Sequence, residues 1–290
     1  MKMQIRAAIK KEFLYFAKTF RMYGVLLAMI LLATLTPLMM YGTTALLEET
    51  MLTSVSEDAN GDEYYENDIY GEEDFESRYL SESASALFSG GVLSYFCYVL
   101  NGITGTALLI LMLVMMSAAG GEQKKKNMII PNCSGLTAIN YVVPKVIFYA
   151  LFTFISTAAI SIFGYFLCIE LAEGQTLPIM DIVSYIGANS LFCTFIIVLY
   201  LFLGLSTGKA GMSVILIYIF LQIFPTIMEF ADVNKYNPIS LMKYSMVDMS
   251  IDGKELIISA SITVALIIVL VILTTILMKA KRINNARKAD

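Results

Sequence analysis

Histidine is absent from these 290 residues, and only four cysteines are present. Cys97, Cys133, Cys168 and Cys193 stand far apart with no C-x-x-C spacing, and the lack of His excludes zincin chemistry, a Cys-His pair and a Ser-His-Asp centre. Their expected place is as small apolar side chains in helices or loops. Charge is scarce as well, at 15% of the chain, and is missing from the middle of its long apolar runs. Charges buried at membrane depth mark proton relays and coupling-ion sites, so their lack argues against an ion-driven carrier. No pair of carboxylates lies within a run either, which leaves an intramembrane enzyme without an acid and a base.

What fills the sequence instead is apolar: 58% of residues, with a mean hydropathy of +0.71, against roughly half or less in soluble proteins. Six runs stand out, at about Met22–Thr44, Val92–Ala119, Val146–Ile169, Val183–Leu203, Ala210–Met228 and Leu256–Met278. About 20 helical residues at ~1.5 Å each match a hydrocarbon core of ~30 Å. Lipid offers no partner to a bare N–H or C=O, so spans are helices or closed barrels, and these runs do not alternate as barrel strands do. The expected fold is an all-α integral membrane protein with six transmembrane helices, spending nearly the whole chain on one membrane domain. The first run is longer than a signal-peptide core and lacks an A-x-A-like site, so it reads as an uncleaved first helix.

The six runs sort the charges. If all of them cross, segments on the N-terminal side hold sixteen Lys/Arg and three acids, Glu12, Glu122 and Asp290. The opposite segments hold twenty-one Asp/Glu and four cations, Arg78, Lys235, Lys243 and Lys254. Lys/Arg accumulate in cytosolic loops, so both termini are expected in the cytosol.

The segments between the runs differ in character. In residues 1–21, Ile5, Ile9, Phe13, Phe16 and Phe20 share one helical face, with Lys10, Lys11, Lys18 and Arg21 falling away from it, the pattern of a helix lying in the membrane interface. Residues 45–91 form a long acidic outer segment, with thirteen acids between Glu48 and Glu82 against Arg78. Asp58-Ala-Asn60-Gly-Asp62 is no EF-hand, because Glu63 and Ile69 stand where the motif needs Gly and Glu, and diffuse cation attraction is what remains. Gly204-Leu-Ser-Thr-Gly208-Lys209-Ala210 is one residue short of a phosphate-binding loop and has Ala210 in place of the Mg-binding hydroxyl. The chain is therefore expected to hold no nucleotide site of its own. In residues 229–255, Pro238 with Ile239, Leu241 and Met242 suggests a half-buried turn or short helices at the outer surface.

The loop 120–145 carries Glu122 and Lys124, Lys125 and Lys126, then Pro131 and Pro144. Between the prolines, Ser134 is placed to cap a short helix whose Leu136, Ile139 and Tyr141 give it an apolar face suited to a partner's groove or to the lipid surface. At membrane depth the polar residues are amides and hydroxyls, among them Asn101, Thr104, Thr106, Asn189, Thr194, Ser213, Tyr218 and Gln222. Interhelical hydrogen bonds account for most such groups, and a wide, weakly polar pathway for the rest.

This layout resembles the permease subunits of ABC-2 type transporters. The resemblance rests on the basic-aromatic lead Ile9-Lys-Lys-Glu12-Phe-Leu-Tyr-Phe16, the large outer segment after the first run, and a second run ending at Glu122. A polar turn with Pro131 and Ser134 follows, and Lys145 opens the third run. Family members commonly carry Gly-Thr soon after that glutamate, where this chain has Gln123 and three lysines.

The resemblance implies a six-helix half-transporter of the bacterial cell membrane, paired with a second copy or a related permease. A separate ABC ATPase would bind its cytosolic face and hold the ATP and Mg; no nucleic acid is implied. Residues 133–143 would be the coupling helix and 5–18 the connecting helix. Glu122, Lys124, Lys125, Lys126, Ser134, Leu136, Ile139 and Tyr141 would then serve coupling. Asn101, Thr104, Ser213, Tyr218 and Gln222 on the second and fifth spans would line the path. The competing reading is a non-transporting immunity or sensory protein whose acidic outer segment captures cationic peptides.

Overall fold

A computed structural model of the chain describes residues 2–58, 91–121, 137–172, 174–230, 236–245 and 253–287. Regular structure among the described residues is helical throughout. Helix α1 (Lys2–Lys18) turns at Thr19 and Phe20 into α2 (Arg21–Asp58). Next come α3 (Val92–Gly102), a π-helical turn (Ile103–Ala107), α4 (Leu108–Val114) and a second π-helical turn (Ser117–Gly121). Helices α5 (Ala138–Leu171), α6 (Ile179–Thr207) and α7 (Ala210–Phe230) follow; a 3-10 helix (Pro238–Ser245) then leads to α8 (Gly253–Arg287).

Five stretches are long and apolar enough to cross a membrane: Arg21–Thr43, Val92–Val114, Ala138–Leu171, Ile179–Thr207 and Gly253–Ala280. The remaining apolar run lies in α7, whose described apolar stretch, Ala210–Ile223, is shorter. Helical structure also continues beyond the first apolar run, so that 45–58, read from sequence as part of the outer segment, extends α2 to Asp58. Residues 59–90, the greater part of the acidic segment, lie outside the described residues.

Helix α6 is the centre of the bundle. In its most apolar window 72% of residues are buried, against 11% in the corresponding window of α8. It packs on α5, α7, α8 and the 3-10 helix. The outer helices turn apolar side chains away from the protein, such as Leu151 and Ile155 of α5 and Ile257, Ile268 and Ile276 of α8. That inverted surface is what lipid requires, since contact with hydrocarbon tails costs Leu and Ile nothing.

Local chemistry sets the helix ends. Thr137 sits in the extended conformation before α5 and its hydroxyl accepts from the Asn140 amide at 3.4 Å, an N-cap. Gly208 closes α6 in the left-handed conformation at φ 72°, and its N–H reaches the Gly204 carbonyl at 2.8 Å. Only Lys209 then separates it from α7, a hairpin too tight to pass α6 and α7 in any arrangement but side by side. Between α1 and α2, Phe20 takes φ 56°, costly for a residue with a β-carbon. The Thr19 hydroxyl, donating to the Tyr15 carbonyl at 2.9 Å, ties off the end of α1 there.

One expectation is corrected in part. The resemblance implies a separate coupling helix at 133–143, and the sequence a short helix capped by Ser134; residues 133–136 lie outside the described residues. Ala138 to Leu171 instead form a single helix capped by Thr137, with Pro144 inside it, so Ile139 and Tyr141 belong to the first turns of the third span. Proline removes one ladder hydrogen bond, and a membrane helix tolerates this where neighbouring groups pack around the gap.

Candidate functional site: a buried ion pair at the α1 end of the bundle

Helix α1 repeats at four residues along its docked face: Glu12 and Phe16 are both buried. They meet a matching stripe on α5. Phe16 makes edge-on contacts with Phe148 at 6.0 Å, Tyr149 at 5.7 Å and Phe152 at 5.1 Å between ring centroids. Such pairs contribute about 0.5–1.5 kcal/mol each beyond their buried area. One turn away on the same interface, Lys145 Nζ lies 3.7 Å from Glu12 Oε1.

Lys145 is 1% exposed, and its ammonium is held from several sides. It donates to Tyr141 Oη at 3.1 Å and to the Ala118 carbonyl at 3.4 Å, and lies 4.7 Å from the centroid of the Tyr141 ring. The Tyr149 hydroxyl donates to the other carboxylate oxygen of Glu12, at 3.4 Å. Tyr141, Lys145 and Tyr149 recur every four residues, so one face of α5 supplies both the cation and the hydroxyls around the pair. The Ala118 carbonyl comes from the second π-turn. Three separate segments thus meet on one ion pair: α1, the end of the second span and the start of the third.

Two further contacts reinforce this junction. The Arg21 guanidinium donates to Ser117 Oγ of the second π-turn and stacks 5.7 Å from the Tyr15 ring centroid. That π-turn also meets the α6–α7 hairpin backbone to backbone, with Gly120 and Ala119 against Gly204 and Gly208. A buried ion pair stabilises only weakly against an apolar replacement, but losing one member strands the other charge and costs about 3–5 kcal/mol. The arrangement is a mechanical joint of charge and rings. Among the described residues no group of three or more Cys, Asp or Glu is placed to hold a metal ion.

The sequence-derived candidates fall into three groups. Glu122, Lys124, Lys125, Lys126, Ser134 and Leu136 lie outside the described residues. Ile139 is 45% exposed at the start of α5, one turn from the ion pair, while Tyr141 is part of it. Of the proposed path residues, Asn101, Tyr218 and Gln222 are exposed on α3 and α7. Thr104 and Ser213 are instead buried within this chain, so neither faces an open surface. The Ser213 hydroxyl donates to the Lys209 carbonyl of its own helix at 3.2 Å, whereas Thr104 pairs with Asn189 of α6 at 2.5 Å.

Sequence reading placed no charge within a span and so missed Glu12 and Lys145 as partners. The signal was present in halves. Glu12 is the one acid in a basic segment and falls on its docked face, and Lys145 follows a proline directly inside an apolar run.

Several long apolar helices, with side chains like Ile257 and Ile268 turned outward, are consistent with a multi-pass membrane protein. Comparison with protein-family models, with curated proteins and with solved structures finds no match to this chain.

Proposed function

We propose that the chain is the membrane permease subunit of an ATP-driven exporter of the ABC-2 type. It moves a hydrophobic or amphipathic substrate, such as a peptide, lipid or drug, by alternating access. A separate ABC ATPase binds its cytosolic face and carries the ATP and Mg, and a second permease copy or a related chain completes the path. On this reading the protein resides in a bacterial cell membrane with both termini in the cytosol, which the sorting of Lys and Arg supports.

Connectivity supports a sixth crossing. Helix α6 ends beside Gly120, at the α1 end, whereas α8 begins beside the 3-10 helix, whose Ser240 hydroxyl donates to Ser259 at 2.7 Å. That 3-10 helix packs on α3, at the opposite end. On this reading α7 joins the two ends, and its 21 residues would reach about 31 Å, the thickness of a hydrocarbon core.

The observation that carries the reading is the Glu12–Lys145 junction. It ties a basic amphipathic helix to the two apolar helices that flank the charged stretch 122–136 in sequence, where a partner ATPase would press. Exposed Asn101, Tyr218 and Gln222 support a shared path, since polar groups turned outward at membrane depth need a second chain, water or substrate against them.

The test is co-purification of the chain with the ABC ATPase encoded beside it, followed by vanadate-sensitive hydrolysis. Leu136→Asp with Ile139→Asp should abolish association and reduce hydrolysis to that of the ATPase alone. Association and hydrolysis untouched by both substitutions would remove the coupling role from this loop.

A further inference from the structure

The second span is the irregular one. Helices α5 and α6 run 34 and 29 residues without a break, and α5 does so across a proline. Over Val92–Gly121, by contrast, the helix is divided by π-helical turns at Ile103–Ala107 and Ser117–Gly121, with Met115 between them at φ −81°, ψ 2°. No proline lies in this stretch to cause the divisions. A π-turn is in effect one residue too many for the α-helical ladder, and its hydrogen bonds are poorer. Such a turn persists only where something other than local stability keeps it.

The two sides of the first π-turn keep different company. Helix α3 packs on α5, with Val99 against Gly164 and the Phe96 ring 5.2 Å from that of Tyr165. Helix α4 and the second π-turn pack on α7 and on the end of α6, where Ala119 meets Gly204. Helix α2 runs along both. Among the described residues the turn between them is fastened to the bundle centre through Thr104, which pairs with Asn189 and with the Cys193 thiol of the same helix; Thr104 and Asn189 are each 1% exposed. Thr104 Oγ1 also approaches the Leu100 carbonyl at 2.9 Å, and its single hydroxyl proton serves one of these acceptors at a time. The Asn189 Nδ2 has no partner among the described residues. The Thr104–Asn189 contact is therefore short, and Thr104 keeps an alternative acceptor in its own helix if it lets Asn189 go.

We infer that the π-turn at Ile103–Ala107 is a hinge latched by Thr104 and Asn189, about which α4 bends relative to α3. As the pivot of alternating access the hinge rests on the permease reading, but the hinge itself is tested without an ATPase.

The experiment compares amide exchange and thermal unfolding of the purified chain in lipid nanodiscs. Deleting Gly105 removes the extra residue, converts the π-turn to α-helix and leaves both flanks in register. It should slow exchange at 103–108 by about tenfold with an unchanged or raised unfolding midpoint. Asn189→Leu keeps the turn but opens the latch, and exchange at 103–108 should rise by about tenfold while that of 150–165 stays as in the parent. If the deletion instead speeds exchange throughout the bundle, the extra residue is required by packing and the hinge is wrong. Unchanged exchange at 103–108 in Asn189→Leu overturns the latch. Should both variants behave as expected and yet no ATPase stimulate motion at the turn, the hinge stands and the permease reading falls.

Discussion

A β-carbon placed on Gly204 would run into the carbonyl of Ala119, and no side-chain rotation could relieve it because the carbonyl belongs to the backbone and the β-carbon's position is fixed by it. This crossing holds the end of the second span against α6. Gly204→Ala is expected to lower stability by about 2 kcal/mol, as overpacking of a close helix contact does. Gly187, on the same helix with open space around its missing β-carbon, is the control. Gly187→Ala should hold or gain about 0.5–1 kcal/mol from helix propensity. Thermal unfolding of the two variants, measured side by side, checks both, and equal midpoints would show that the crossing is not tight.

The ion pair gives a cycle. Lys145→Met strands the Glu12 carboxylate beside Tyr149, and Glu12→Gln strands the Lys145 ammonium beside Tyr141. Each single change should destabilise by about 3–5 kcal/mol, while the double variant should recover most of the loss. Additive losses in denaturant unfolding would mean that the two side chains act separately.

Gly164 meets Val99 across α3 and α5, where an added β-carbon would sit against the Val99 γ-methyl. That obstacle is a side-chain end, so a compensating change exists. Gly164→Ala should cost about 1–3 kcal/mol, and adding Val99→Ala should return part of it. If the second change adds its own full cavity cost, the contact is not the one limiting the approach.

Orientation is tested by labelling in intact cells. In a variant lacking the native cysteines, Ser56→Cys should react with a membrane-impermeant maleimide and Asn127→Cys should not. The opposite labelling pattern would invert the topology and with it the side on which an ATPase could bind.

Much of this architecture could be read from composition because the bilayer constrains so few solutions. Runs such as Leu256–Met278 have no stable state at membrane depth other than a helix, whatever their neighbours. The start of the third span was not legible. Pro144 reads as a stop, and only the packing around it determines that α5 continues through. The Glu12–Lys145 pair was hidden for a related reason: each residue looked like an ordinary flank of an apolar run, and what buries them is a contact between distant segments. Thr104 and Asn189 were both visible as deep polar residues, but nothing in the linear order says that they face each other, nor that a π-turn puts Thr104 inward and leaves Asn101 outward.

The passage of α5 through Pro144 sets its reach. Thirty-four residues at ~1.5 Å make a rod of about 51 Å, and a hydrocarbon core takes up only ~30 Å of it. In a bilayer the surplus would project into water or headgroups, and at the Thr137 end it would carry Ile139 beyond the level where Glu12 and Phe16 grip the same helix. Gripped by α1 at its second and third turns, the rod would pass any displacement of its Thr137 end into its packing with α2, α3, α6 and α8.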